Sequence, residues 1–105
     1  MKLRYAPAAI EDLRRLRDYL RGELDQPLAA QRIPAGIVRR CGLLKENPGL
    51  GPALQGRVRR ATDLRYLVCN THLAFYRVGR GTVSILRILH VRQDFIRALG
   101  LGGEE

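Results

Sequence analysis

His90, Arg92 and Asp94 stand at alternate positions at the end of the stretch ILRILHVRQDF, residues 85–95, and Arg87 interrupts its apolar half. A histidine there is a candidate general acid or base near neutral pH. Arg92, Arg87 and Arg65, with Arg77 on a neighbouring segment, are candidate donors to phosphates or to developing negative charge. The same spacing has a plainer reading. His90 ends a strand, Arg92 pairs with Asp94 or caps a turn, and the rest is a solvated face. Charge clusters with no accompanying motif favour the plainer reading.

No such motif accompanies this cluster. The chain has no GxGxxG, GxxxxGK[ST], HExxH or GxSxG. Its one serine, Ser84, lies in a strand pattern, and His72 and His90 fall on separate strands. Cys41 and Cys69 lack the CxxC spacing of a zinc site or a disulfide framework. They read as small core residues, since a reactive thiol needs an electropositive setting that the sequence does not reveal. Neither a metal nor a cofactor is expected.

The elements that position the cluster follow from periodicity. KLRY (2–5) alternates like a short strand, and Pro7 opens a helix in which Ile10, Leu13, Leu16, Leu20 and Leu24 form one stripe. Pro27 opens a second helix with Ala30, Ile33, Ile37, Cys41 and Leu44 on one face; Pro34 either kinks it or marks its true start. NPGLGPALQG (47–56) is a loop. DLRYLVC, HLAFYRV and TVSILRILHV then alternate with Asn70-Thr71 and Gly79-Arg80-Gly81, spacings that suit tight antiparallel hairpins. The expected class is α+β, in the order β-α-α-β-β-β: a helical hairpin packed on one face of a small antiparallel sheet whose other face is partly open. One domain over residues 1–98 is expected, with 99–105 as a flexible tail.

Length and charge narrow the functional classes. At 105 residues the chain has room for one core. No window approaches the roughly 18 apolar residues of a membrane span, and Glu11 and Asp12 spoil a secretory segment, so the expected location is cytoplasmic. The net charge is +9, and 17 of the 19 basic residues are arginine. Residues 57–97 carry nine Arg against Asp63 and Asp94 alone. This balance fits a GC-rich coding bias and also a basic surface for nucleic acid or an acidic protein partner.

LRYAPAAIEDLRRLRDYL, NPGLGPALQGRVR, LRYLVCNTHLAFYRV and VSILRILHVRQDF, taken in order, resemble the RelE/ParE toxin superfamily over about residues 2–98. The resemblance implies the toxin half of a type II toxin–antitoxin module, bound as a hetero-oligomer by a cognate acidic antitoxin of ParD-like type. Contact with DNA is then expected only through the toxin–antitoxin complex. The superfamily divides by activity. In the RelE-like branch, a ribosome-dependent mRNA endonuclease, the nuclease roles map here onto His90, Arg92 and Arg65. However, the strand position of a catalytic Arg is Leu73, the expected terminal Tyr falls near Ala98, and the aromatic that follows the terminal histidine in a third, also nucleolytic, branch is Val91. ILRILHVRQD and NPGLGPALQGRVRR resemble the ParE-like branch, whose members poison DNA gyrase without enzymatic chemistry. On that reading no residue is catalytic, and Arg57, Arg59, Arg60 and Arg92 are candidates for the target. Leu16, Leu20 and Ile37 are candidates for the antitoxin. A blander option is an orphan member that only binds its antitoxin and helps repress the operon.

Overall fold

The computed structural model describes residues 1–102. Its elements are β1 (Lys2–Tyr5), α1 (Pro7–Asp18), α2 (Pro27–Cys41), β2 (Arg65–Cys69), β3 (His72–Gly79), β4 (Thr82–His90) and a short α3 (Phe95–Ala98). The expected α+β order is present, with the helical hairpin lying on the sheet. The sheet runs β1-β4-β3-β2. Both hairpins are antiparallel, but β1 lies parallel to β4, with Lys2 opposite Thr82 and Tyr5 opposite Ile85. The sheet is therefore mixed rather than wholly antiparallel. Parallel pairing needs a long crossover, and everything between Tyr5 and Thr82 supplies it.

Pro7 and Pro27 each occupy the first turn of their helix, where a missing N–H costs nothing. The inward face of α1 is rotated from the expected stripe. Ala9, Leu13, Leu16 and Leu20 turn toward the sheet, while Ile10 and Leu24 are exposed. Two local causes account for this. Asp12 takes an inward position, and Tyr19–Glu23 form a π-type turn closed by Leu24 N–H to the Tyr19 carbonyl (3.1 Å). The wider turn swings Leu24 away from the face that Leu20 occupies. α2 runs unbroken through Pro34, so the helix does not begin there, and Ala30, Ile37, Cys41 and Leu44 are buried as the spacing requires.

β4 holds the key irregularity. Phe75 pairs with Arg87 and Tyr76 with Ile85, leaving Leu86 as the extra residue of a bulge. The bulge explains the non-alternating ILRIL: Ile85 and Ile88 join the cluster beneath the helices, while Leu86 and Leu89 join one on the opposite face. That opposite face is not open. Leu54 and Leu64 cover it from the preceding loop, and Phe95, Leu99 and Leu101 from the C-terminal segment. Leu99 and Leu101 of the expected tail thus pack on the sheet, and residues 103–105 lie outside the described residues.

Candidate functional site

The polar end of β4 is an interlocked network. Arg87 clasps Asp12 of α1 through Nε–Oδ2 (2.7 Å) and Nη2–Oδ1 (3.0 Å), and the Ile88 N–H donates to the same carboxylate (2.8 Å). Fork-on-carboxylate geometry of this kind is directional as well as strong. The Asp12 hydrogen bond holds the Arg87 guanidinium above its ordinary range. Sequence reading did not assign Asp12 a role. The available signal was an acidic residue on the inner side of a helix and a lone arginine in an apolar strand.

Beyond Arg87 the chain turns back on itself. His90 Nδ1 accepts from the Arg92 N–H (3.0 Å), the His90 N–H donates to Gln93 Oε1 (2.8 Å), and the Gln93 N–H returns to the His90 carbonyl (2.9 Å). The Val91 N–H reaches the Thr71 carbonyl (2.9 Å), and Asp94 caps α3 through the Arg97 N–H (3.2 Å). His72, opposite His90, is buried with Nδ1 at 3.0 Å from Thr71 Oγ1, and the two rings meet edge to face at 5.1 Å. Burial, and then the charge of His90, push the His72 imidazole below its ordinary value. A neutral His90 whose Nδ1 accepts from Arg92 carries its proton on Nε2. The lone pair a general base would use is already occupied. Arg92 itself forms no pair with Asp94; among the described residues its guanidinium has no hydrogen-bond partner. A cleft of about 320 Å³ runs between α1 and this network, lined by Asp12, Tyr19, His72 and His90 among others.

Arg65 is placed elsewhere and is equally occupied. Its Nε donates to the Gly51 carbonyl (2.7 Å) and its Nη2 to that of Gly49 (3.2 Å). Tyr76 Oη completes the same anchor, accepting from the Gly51 N–H (2.9 Å) and donating to the Pro48 carbonyl (2.8 Å). Any Cβ at residue 51 would stand 2.2 Å from the Tyr66 carbonyl oxygen, so only glycine fits that approach. Leu73 packs among Leu54, Tyr66, Phe75 and Phe95 around a gap of only about 20 Å³. Ala98 and Val91 are exposed. The structure brings His90, Arg92 and Arg87 to one end of the sheet and leaves Arg65 at the start of β2, fastened to the preceding loop.

Arg57, Arg59 and Arg60 share an exposed loop whose shape is set by Gln55, a residue that no sequence motif singles out. Its side-chain amide donates to the Val58 and Arg60 carbonyls (3.3 and 3.2 Å) and its Oε1 accepts from the Thr62 N–H (2.8 Å). Arg57 lies over the Tyr66 ring at 5.5 Å, a cation–π distance, and Arg60 reaches the Gly100 carbonyl (2.9 Å). Arg59 has no internal partner among the described residues. Among the antitoxin candidates, Leu20 and Ile37 are buried and Leu16 is half-buried, with exposed Tyr19, Leu24, Leu28 and Val38 nearby on the hairpin.

Residues 3–95 match the model of the ParE toxin of the type II toxin–antitoxin system, parDE. The chain belongs to this ParE toxin family. Among solved structures it is similar to a chain of the chromosomal ParDE TA system from P. aeruginosa, at 26% identity and a TM-score of 0.74, covering 88% of this chain and 97% of that one. No curated protein matches it. The ParE match supports the branch to which ILRILHVRQD and the loop before the basic stretch pointed, and the protein is a ParE-type toxin of a type II toxin–antitoxin system. Among the described residues, no three His, Cys, Asp or Glu side chains group as a metal site, and no helix is long and apolar enough to cross a membrane.

Proposed function

We propose that this ParE-type toxin acts by binding rather than by chemistry, as an inhibitor of DNA gyrase neutralised by a cognate ParD-like antitoxin. The observation that carries this reading is the occupation of two of the three groups a nuclease would require, Arg65 and His90, with Arg92 alone left free. Arg65 is fastened to two loop carbonyls, Leu73 sits in closely packed apolar surroundings, and His90 Nδ1 is taken by a main-chain N–H. A preorganised phosphate site needs free donors aimed at the scissile group. What points outward is charge: Arg59 on a braced loop and Arg92 beyond β4 have no internal partner among the described residues, and the exposed Arg57 and Arg60 flank Arg59.

The partner at rest is an acidic antitoxin in a hetero-oligomer, through which any DNA contact is made. Charge complementarity with a chain of net charge +9 supports this. Its path follows the helical hairpin, where Leu16 is within reach and Leu20 and Ile37 act from beneath their exposed neighbours. Antitoxin-free protein, added to gyrase supercoiling and cleavage assays and to a reconstituted translation reaction, tests the reading. Gyrase inhibition with intact mRNA is expected. Cut mRNA with unaffected gyrase would overturn it in favour of a ribosome-dependent endonuclease.

A further inference from the structure

The elements α2 and β2–β3 meet along a surface whose own charges are all positive. Residues 26–45 contain no Asp or Glu, and neither do residues 64–93. Arg32, Gly36 and Arg40 follow at steps of four on α2 and so share one stripe. With Cys69 and Asn70 they line a groove of about 230 Å³ beside the edge strand β2. Gly36 keeps the floor of this groove low, since a Cβ there would meet only Arg39 Nη2, at 3.7 Å. Arg40 Nε donates to the Val68 carbonyl at 2.8 Å, which holds that guanidinium against β2.

A second depression, of about 460 Å³, adjoins the first at Arg32 and passes Gln31, Ala35 and Arg39 on the outer side of α2. Arg32, Arg39 and Arg40 are exposed, and among the described residues none is paired with a carboxylate. On α1, by contrast, Arg14 and Arg15 share Glu11, and Arg17 pairs with Asp18. Unmatched charge of one sign over adjoining surfaces draws a polyanion.

The rest of the lining says which polyanion. Leu28 and Val38, the large exposed apolar residues of α2, border neither depression, so a peptide helix would find no exposed anchor. No aromatic ring lies there on which unpaired bases could stack. Guanidinium forks suit phosphate oxygens. Arg32 and Arg39 stand about 10 Å apart along the helix axis, the rise of about three phosphates on one strand of a duplex.

We propose that this face of α2 binds the phosphate backbone of duplex DNA through Arg32 and Arg39, with Arg40 beside them, so that within the hetero-oligomer the toxin touches DNA itself. Only the setting in the hetero-oligomer rests on the function proposed above; the face and its test do not. Contact of this kind positions a protein on DNA without reading its sequence.

Fluorescence anisotropy of two short duplexes of unrelated sequence, titrated with full-length antitoxin-free protein at several salt concentrations, tests this. Wild type should bind both alike. Arg32→Gln/Arg39→Gln should lower the slope of log affinity against log salt by about 2, one phosphate contact per arginine. Arg14→Gln/Arg17→Gln removes the same charge from α1 and should leave the slope at the wild-type value. Far-UV circular dichroism checks that both variants are folded. Equal changes of slope in the two variants would overturn the proposal, because the attraction is then net charge alone. So would wild-type protein that leaves both duplexes unbound, or that binds a polyglutamate peptide in their place and loses it in Arg32→Gln/Arg39→Gln.

Discussion

Arg87, at the end of β4, and Arg59, in the loop before β2, carry the same guanidinium in opposite settings. Arg87 is enclosed by α1 and the sheet, with Asp12 matching its fork and only 28% of its side chain exposed. Arg59 projects from a loop that Gln55 holds in shape, with no acceptor of its own among the described residues. An arginine enclosed against an internal carboxylate is part of the scaffold, and an exposed one without such a carboxylate is available to a partner. Composition cannot separate the two, because the distinction lies in what the fold places opposite each side chain.

The largest effect that sharpens this contrast is expected from Asp12→Ala. It strands a part-buried guanidinium and an unpaired Ile88 N–H, at a cost of about 3 kcal/mol. Urea unfolding followed by far-UV circular dichroism reads it, and a change under about 0.5 kcal/mol would place Arg87 among the free arginines. Next comes Tyr76→Phe, which removes the hydroxyl that the Gly51 N–H needs in a buried site; a loss of about 1–2 kcal/mol is expected from the same measurement.

A pH effect follows. His72 binds its proton less readily folded than unfolded, because burial and His90 lower it from its ordinary 6.5. Stability is therefore lost as pH falls through about 6.5 toward the lower folded value, and the loss ends below it. The thermal midpoint should drop between about pH 7.5 and about pH 5.5, and the drop should be shallower in His72→Gln. The smallest stability effect belongs to Arg57→Ala, Arg59→Ala and Arg60→Ala, each expected within about 0.5 kcal/mol of wild type. A larger loss at Arg59 would move that residue to the scaffold side of the comparison.

The elements themselves were legible. The two prolines that open helices, the apolar face of α2 and the two-residue hairpin turns have local causes, and they stand where the sequence puts them. Arg80 and Gly81 both take the positive φ that a tight hairpin turn demands. Less legible was anything that depends on long-range pairing. The parallel β1–β4 contact and the Asp12–Arg87 clasp join residues more than seventy apart in sequence, and the cover of the second sheet face by Phe95, Leu99 and Leu101 brings the C-terminal segment onto β3 and the loop before β2. ILRIL shows the boundary well. Its composition says strand, but only the bulge at Leu86 explains why apolar residues appear at steps of three and serve both faces. At the candidate site, the residue types were visible in sequence, while their availability was not. Arg65 reads like a phosphate donor until its two loop carbonyls are seen.

The most direct test of the account is inhibition of gyrase supercoiling by the triple variant Arg57→Ala/Arg59→Ala/Arg60→Ala, set beside Arg87→Ala at equal concentration of folded protein. The account requires the triple variant to lose inhibition by about tenfold or more, as expected for removing several charge-assisted contacts. Arg87→Ala, corrected for its folded fraction, should inhibit like wild type. A triple variant as inhibitory as wild type, beside an Arg87→Ala protein that is folded and inert, would contradict it and return function to the polar end of β4.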